Sequence, residues 1–157
     1  QFPLVYFIIL MFIGGCAGST TCGIKIFRVQ ILYQFISNQL KKIIYPRGIF
    51  KIKYQNNNVD EKFMDSIISF IFLYILIFFV VTALLSLDGL NFITAISAAA
   101  TSISNVGPGL GDIIGPNGSF SSLSDFSKWV LSAAMILGRL ELFAILVLFI
   151  PSFWRKY

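Results

Sequence analysis

Apolar residues run without interruption from Pro3 to Ile13, about two-thirds of the length a bilayer requires. The run breaks at Gly14-Gly15-Cys16-Ala17-Gly18-Ser19-Thr20-Thr21-Cys22-Gly23, and apolar positions then resume at Ile24, Phe27, Ile31, Phe35 and Ile36, close to helical spacing. The simplest reading is one membrane helix interrupted near mid-depth by a non-helical loop, because glycines and hydroxyls lower helix propensity and offer the backbone other partners. A helix packed closely through small residues fits the same composition. Ile67 to Leu87 is an uncharged stretch of 21 residues, about 30 Å at helical rise, and Asp88-Gly89 ends it. Leu90 to Ala100 is apolar but too short to span. Trp129 to Phe153 forms the last span, with Trp129 and Trp154 at its ends as interfacial aromatics.

After the short run comes Thr101-Ser102-Ile103-Ser104-Asn105-Val106-Gly107-Pro108-Gly109-Leu110-Gly111. Its glycines and proline prevent a helix from continuing, and such backbone survives at membrane depth only where protein or a water-filled path surrounds it. A short helix running into a Gly-rich turn between two spans presents its C-terminus and the following carbonyls to a dehydrated cation. The expected fold class is therefore an all-α membrane protein of helix–pore-loop–helix repeats. A broken helix occupies 1–40 with its loop at 14–23, and a polar linker covers 41–64. One complete repeat covers 65–157, with spans 67–87 and 129–153 and a pore helix and filter at 90–111.

In the linker, Tyr45-Pro46-Arg47-Gly48 predicts a turn. Phe50, Ile52 and Tyr54 alternate with Lys51 and Lys53 as in a strand, and Asn56-Asn57-Asn58 predicts a reversal. Either a small hairpin able to touch a soluble partner or a solvated basic loop at the lipid headgroups fits this pattern.

Composition narrows the class. With 57% hydrophobic residues, 17 Phe and only 12% charged residues, the chain lies far from the soluble average. The net charge of +5 does not call for nucleic acid. Ten basic residues (Lys25, Arg28, Lys41, Lys42, Arg47, Lys51, Lys53, Lys62, Arg155, Lys156) fall on the side of the linker and C-terminus, and Lys128 falls on the other. That asymmetry predicts a cytoplasmic linker and C-terminus, with the filter entered from outside. The opening Gln1-Phe2-Pro3, without an initiator Met, suggests the C-terminal piece of a longer chain, so one copy is not expected to form a complete pore.

Two cysteines and no histidine leave zinc and dithiol chemistry without ligands, and both thiols are expected to be reduced. Gly18 to Lys25 lacks the Gly-Lys-Ser/Thr of a phosphate loop. No nucleophile–base–acid set exists without His, so an enzyme is not expected, nor a covalently bound cofactor.

Cation selectivity is expected from the main-chain carbonyls around Asn105, Val106 and Gly107. Gly107 permits backbone that a Cβ resists, Pro108 removes an N–H and fixes the exit, and Gly109 is a supporting residue. The alternative is a re-entrant loop in a transporter of another solute. Arg139 and Glu141 lie within the last span, where a charge costs roughly 2.5–3.5 kcal/mol and needs protein or water around it. Two residues apart, they do not face each other. The 14–23 loop, with unpaired carbonyls at similar depth, is the expected partner of Arg139, whose charge would oppose a cation beneath the filter. A structural ion pair holding the bundle together is the alternative.

Three stretches carry a resemblance. They are Met11 to Thr20 with Gly23-Ile24-Lys25, then Asn105-Val106-Gly107-Pro108-Gly109-Leu110-Gly111, and Leu137-Gly138-Arg139-Leu140-Glu141 followed by Pro151-Ser152-Phe153-Trp154-Arg155. In this order they resemble the Trk/Ktr/HKT superfamily of potassium uptake proteins, most closely its bacterial TrkH branch. The resemblance implies K⁺-channel-like repeats, four around one pore, in a bacterial inner-membrane protein that forms a homodimer and docks a TrkA-like nucleotide-binding ring. This chain would supply the second helix of repeat three and all of repeat four. It also implies that 14–23 is an intramembrane gating loop, that Arg139 contacts it, and that Asn105 and Val106 coordinate the ion. Thr21-Cys22-Gly23 departs from the family's usual Ala-Gly-Gly. The expected function is K⁺ uptake; the rivals are Na⁺ or mixed-cation transport by the same fold, and a non-conducting assembly subunit.

Overall fold

In the computed structural model, which describes residues 2–16, 19, 22–46, 48, 50, 52–54, 57–111 and 113–139, the described residues form five α-helices and one two-stranded antiparallel sheet. Helix α1, Phe2–Phe12, stops where the glycines begin, and α2, Ile26–Ile44, starts beyond them. The chain therefore does not form one continuous small-residue helix here. Ile13 and Ile24 meet in a single parallel bridge. Around it, Gly14 N–H donates to Ile24 O at 3.0 Å, Ile24 N–H to Phe12 O at 3.1 Å, and Ile26 N–H to Gly15 O at 3.1 Å. This neck requires glycine: a Cβ at Gly14 would lie 2.8 Å from Cys22 O and 3.1 Å from Ile24 O, both backbone atoms.

Helix α2 ends with Lys41 and Lys42 in its last turn, where cations suit the C-terminal dipole. It packs on α3, Glu61–Leu87, through the fully buried Ile31 against Met64 and Ile67. Arg28 lies 3.8 Å over the Phe70 ring, a cation–π contact that places a charge on an otherwise apolar face. Strands β1, Lys53–Tyr54, and β2, Asn57–Asn58, pair with Lys53 opposite Asn58 and Tyr54 opposite Asn57. The expected reversal at Asn56-Asn57-Asn58 is thus corrected, since Asn57 and Asn58 belong to the return strand. The apolar residues decide the register: Val59 N–H reaches Ile52 O at 2.9 Å, and Ile52, Tyr54 and Val59 all pack on the Ile31 cluster.

Helix α3 is the one described helix long and apolar enough to cross a membrane, over Lys62–Leu87. It starts six residues ahead of the expected span, so the charged end of the linker is helical. Helix α4, Phe92–Ser104, has 13 residues, ten of them buried; at about 20 Å it is too short to span and is enclosed by protein. Helix α5 is described over Asp125–Arg139 and begins ahead of Trp129. Ser124 caps it, accepting Ser127 N–H at 3.1 Å. The main core joins Phe70, Tyr74, Val81 and Leu85 of α3 to Ala95, Ala98, Ala99 and Ile103 of α4 and Leu131 and Ala134 of α5. Ala17, Gly18, Thr20, Thr21, Glu141 and the span beyond Arg139 lie outside the described residues.

Candidate functional site

Helix α4 ends at Asn105, which takes the left-handed conformation (φ 52°, ψ 43°), the single non-glycine positive φ among the described residues. Asparagine tolerates this conformation better than most side chains. Its N–H turns back to the Thr101 and Ser102 carbonyls of the last helical turn, Val106 N–H reaches Thr101 O at 3.0 Å, and Gly107 N–H reaches Thr101 Oγ1 at 3.0 Å. In a planar trans peptide the C=O points opposite to the N–H. Three successive N–H groups held towards α4 therefore aim the carbonyls of Ser104, Asn105 and Val106 away from it. Asn105, Val106, Gly107 and Pro108 are all exposed, whereas the end of α4 behind them is buried. The Asn105 amide donates to Met135 O of α5 at 3.1 Å, so its side chain anchors the turn.

Gly107 has φ +113°, and a Cβ there would meet nothing within 4 Å; backbone conformation, not space, calls for glycine. Beyond Pro108 the chain folds back. Gly109 is buried, with its N–H on Ile114 O at 2.8 Å, and a Cβ there would overlap the Ile114 side chain. Leu110 N–H is accepted by Ser97 Oγ at 3.1 Å.

Beneath this turn is a cavity of about 360 Å³ lined by Met11, Ile13, Gly14, Gly15, Cys22, Ser104, Asn105, Val106 and Arg139. It brings together the neck of the 14–23 loop, Asn105 and Val106, and Arg139. Arg139 Nη1 lies 3.9 Å from Cys22 Sγ. Cys16 is exposed, Ser19 N–H bonds to Cys16 O at 3.1 Å, and Gly23 closes the loop at φ +87°. Both cysteines are free thiols. Lys25 is half-buried at the N-terminus of α2 and does not line the cavity. A larger cavity of about 480 Å³, lined by Phe35, Lys42, Asp60 and Asp65 among others, lies between α2 and the start of α3. It shares no residue with the turn at Asn105–Gly107.

Further contacts join residues far apart in the sequence. Tyr74 of α3 shares a buried 2.8 Å hydrogen bond with Ser104. Gly138 is pressed against α4: a Cβ would overlap the Ile103 carbonyl oxygen and lie 3.1 Å from the Asn105 amide nitrogen. An isolated glycine in an apolar span is the mark of such an approach. At the far end, Asp88 accepts hydrogen bonds from Ser127 Oγ at 2.6 Å and from Ser124 Oγ, joining the end of α3 to the start of α5. These hydroxyls hold the Asp88 carboxyl below its usual value.

Residues 2–156 match the family described as TrkH, cation transport protein. The chain belongs to the TrkH family. It is 44% identical over 152 residues to the Trk system potassium uptake protein TrkI of Halomonas elongata, covering 97% of this chain and 31% of that protein. It is 36% identical over 159 residues to the Trk system potassium uptake protein TrkH of Escherichia coli K12, covering 99% and 32%. The crystal structure of the potassium transporter TrkH from Vibrio parahaemolyticus superimposes with a TM-score of 0.86 at 36% identity, over 98% of this chain and 32% of that one. The chain thus spans about a third of the length of the TrkH-family proteins it matches. The architecture is accordingly the TrkH fold.

Proposed function

We propose that this chain is part of a membrane protein that takes up K⁺ through a filter of backbone carbonyls, closed from below by an intramembrane loop and an arginine. The observation that carries this reading is the tethering of three successive N–H groups to α4, which turns the Ser104, Asn105 and Val106 carbonyls to the exposed side. Carbonyls arranged this way replace a cation's hydration shell. The C-terminal end of α4 adds its partial negative charge at the same place. Arg139 and Cys22 line the cavity directly below, where a fixed positive charge raises the electrostatic cost of a cation's passage. The family match and the named potassium uptake relatives support K⁺ as the ion.

In the complete protein the remaining repeats supply the other filter walls. The molecule sits in the bacterial inner membrane as a homodimer, with linker and C-terminus cytoplasmic, following the basic-residue asymmetry. A nucleotide-binding ring docks on that face. The test is tracer rubidium uptake by the complete protein in a potassium-uptake-deficient bacterium. Uptake blocked by K⁺ and not by Na⁺ is expected. Equal block by both ions would replace K⁺ selectivity with mixed-cation transport, and no uptake from expressing cells supplied with the ring would favour a non-conducting subunit.

A further inference from the structure

The peptide between Val106 and Gly107 is held differently from the two before it. The preceding N–H groups bond to carbonyls of the helix backbone, which cannot be removed by mutation. The Gly107 N–H bonds to a side chain, Thr101 Oγ1, at 3.0 Å. One turn earlier on the same face, Ser97 Oγ accepts Leu110 N–H at 3.1 Å and lies 3.0 Å from Leu110 O. Ser97 and Thr101 are four residues apart, so they stack on one side of α4. Between them stand Ala98, Ala99 and Ala100, all fully buried. The two hydroxyls thus clasp the filter segment from behind at both ends, at Gly107 and at Leu110.

We infer that the Thr101 hydroxyl is a positioning residue for ion selectivity: by holding the Gly107 N–H it fixes the Val106 carbonyl towards the ion. The inference rests on the filter reading above. Gly107 makes the hold necessary. A glycine at φ +113° with open space where its Cβ would be has neither side-chain contact nor steric restriction to stop the peptide from rotating. The 106–107 peptide can turn over through two soft dihedrals without moving its neighbours, and its carbonyl would then face α4, presenting an N–H to the cation. Ser97 holds the far end of the segment and does not constrain this peptide, which lies three residues away. Thr101 is 1% exposed, so water does not replace its hydroxyl when that is lost.

A neighbouring hydroxyl provides the internal control. Ser102 is fully buried, and its Oγ has no hydrogen-bond partner among the described residues. Removing an unsatisfied buried hydroxyl is close to neutral, so Ser102→Ala reports the effect of altering this turn of α4 without touching the clasp.

The experiment is rubidium uptake by the complete protein with K⁺ or Na⁺ as competitor, at matched membrane levels. It compares the unaltered chain with Thr101→Val, Thr101→Ser, Thr101→Cys and Ser102→Ala. Thr101→Val keeps the shape and loses the acceptor; the preference for K⁺ over Na⁺ is expected to fall about five- to tenfold, the effect of one hydrogen bond. Thr101→Ser retains the oxygen and keeps the preference, as does Ser102→Ala. Thr101→Cys, with a weak sulfur acceptor, falls with Val and decides the matter if the valine variant does not reach the membrane. An unchanged ratio in Val or Cys, or a loss equally large in Ser102→Ala, would overturn the clasp. Failure of the filter reading looks different: the unaltered protein itself would then show no K⁺ preference.

Discussion

Gly138→Ala is the sharpest test of how α5 is seated against the filter. The added Cβ would overlap the Ile103 carbonyl oxygen and stand 2.8 Å from the Ile103 carbonyl carbon, where ordinary contact begins near ~3.5 Å. Both atoms are backbone of a buried helix, so neither can rotate away, and α5 must withdraw by at least ~0.7 Å. Overpacking of this kind costs about 1–3 kcal/mol. The withdrawal also lengthens the Asn105 amide to Met135 carbonyl bond, now 3.1 Å, forfeiting about 0.5–1.5 kcal/mol more. A loss near 2–4 kcal/mol is therefore expected from one methyl group. Thermal unfolding of the complete protein in detergent, followed by size-exclusion recovery after heating, measures it. Rubidium uptake on the same samples reports whether the filter turn has shifted with the helix. A melting temperature unchanged by Gly138→Ala would refute the close approach, and with it the anchoring of Asn105 through α5. Ser132→Ala serves as the control. It lies on an exposed part of the same helix with its hydroxyl on Lys128 O, and should leave both readouts unchanged.

Gly107→Ser adds a side chain into open space but at a φ that L-residues rarely adopt; strain of about 1–3 kcal/mol should lower K⁺-over-Na⁺ preference roughly tenfold, and an unaltered competition ratio would remove Gly107 from the filter. Arg139→Ala empties the charged wall of the cavity that Cys22 and Val106 share and should raise basal rubidium flux; unchanged flux at equal expression would count against an electrostatic barrier. Asp88, outside the spans, has its carboxyl pKa lowered by the Ser124 and Ser127 hydroxyls. A depressed carboxylate contributes stability that is present above its unfolded value, about 3.9, and is lost as pH falls through the lower folded value. Melting temperature should thus carry an Asp88-dependent loss only at strongly acid pH, absent in Asp88→Asn; an equal acid loss in that variant would locate the effect elsewhere.

The larger divisions of this chain follow from rules that lipid imposes locally. A span must be long and uncharged, so α3 is visible as a run of residues; backbone that cannot stay helical must be enclosed, so glycine and proline mark where α4 gives way. The ends are less visible because polar residues can be helical too: Glu61 to Ser66 extend α3 beyond its apolar part. Register in the hairpin was set by Val59 finding Ile52 across the strands, a pairing that outweighs the turn preference of Asn57 and Asn58. The site residues without local signal are those whose partners are distant in sequence. Tyr74 meets Ser104 and Asp88 meets Ser127 across more than two dozen residues, and nothing near either one announces the other. Ser97 and Thr101 did offer a sign, two hydroxyls at helical spacing in an otherwise small and apolar stretch. Cys22 lies among the glycines and hydroxyls of the 14–23 stretch. It does so without a positive φ, and its sulfur is the atom that the guanidinium approaches.

One turn of α5 carries three of these contacts. The Met135 carbonyl receives the Asn105 amide, Gly138 admits the Ile103 carbonyl, and Arg139 reaches the Cys22 sulfur. Positions three and four apart share a helix face, so a single face of α5 touches the turn after α4, the end of α4 and Cys22 of the 14–23 stretch. Packed interfaces of this kind move as units rather than deforming gradually. A displacement of α5 that frees Arg139 from the loop therefore also withdraws the anchor of Asn105. The geometry of the turn after α4 and the reach of Arg139 to Cys22 are in that sense set by the same few ångströms of helix, and glycine at 138 is what lets that helix come close enough to set both.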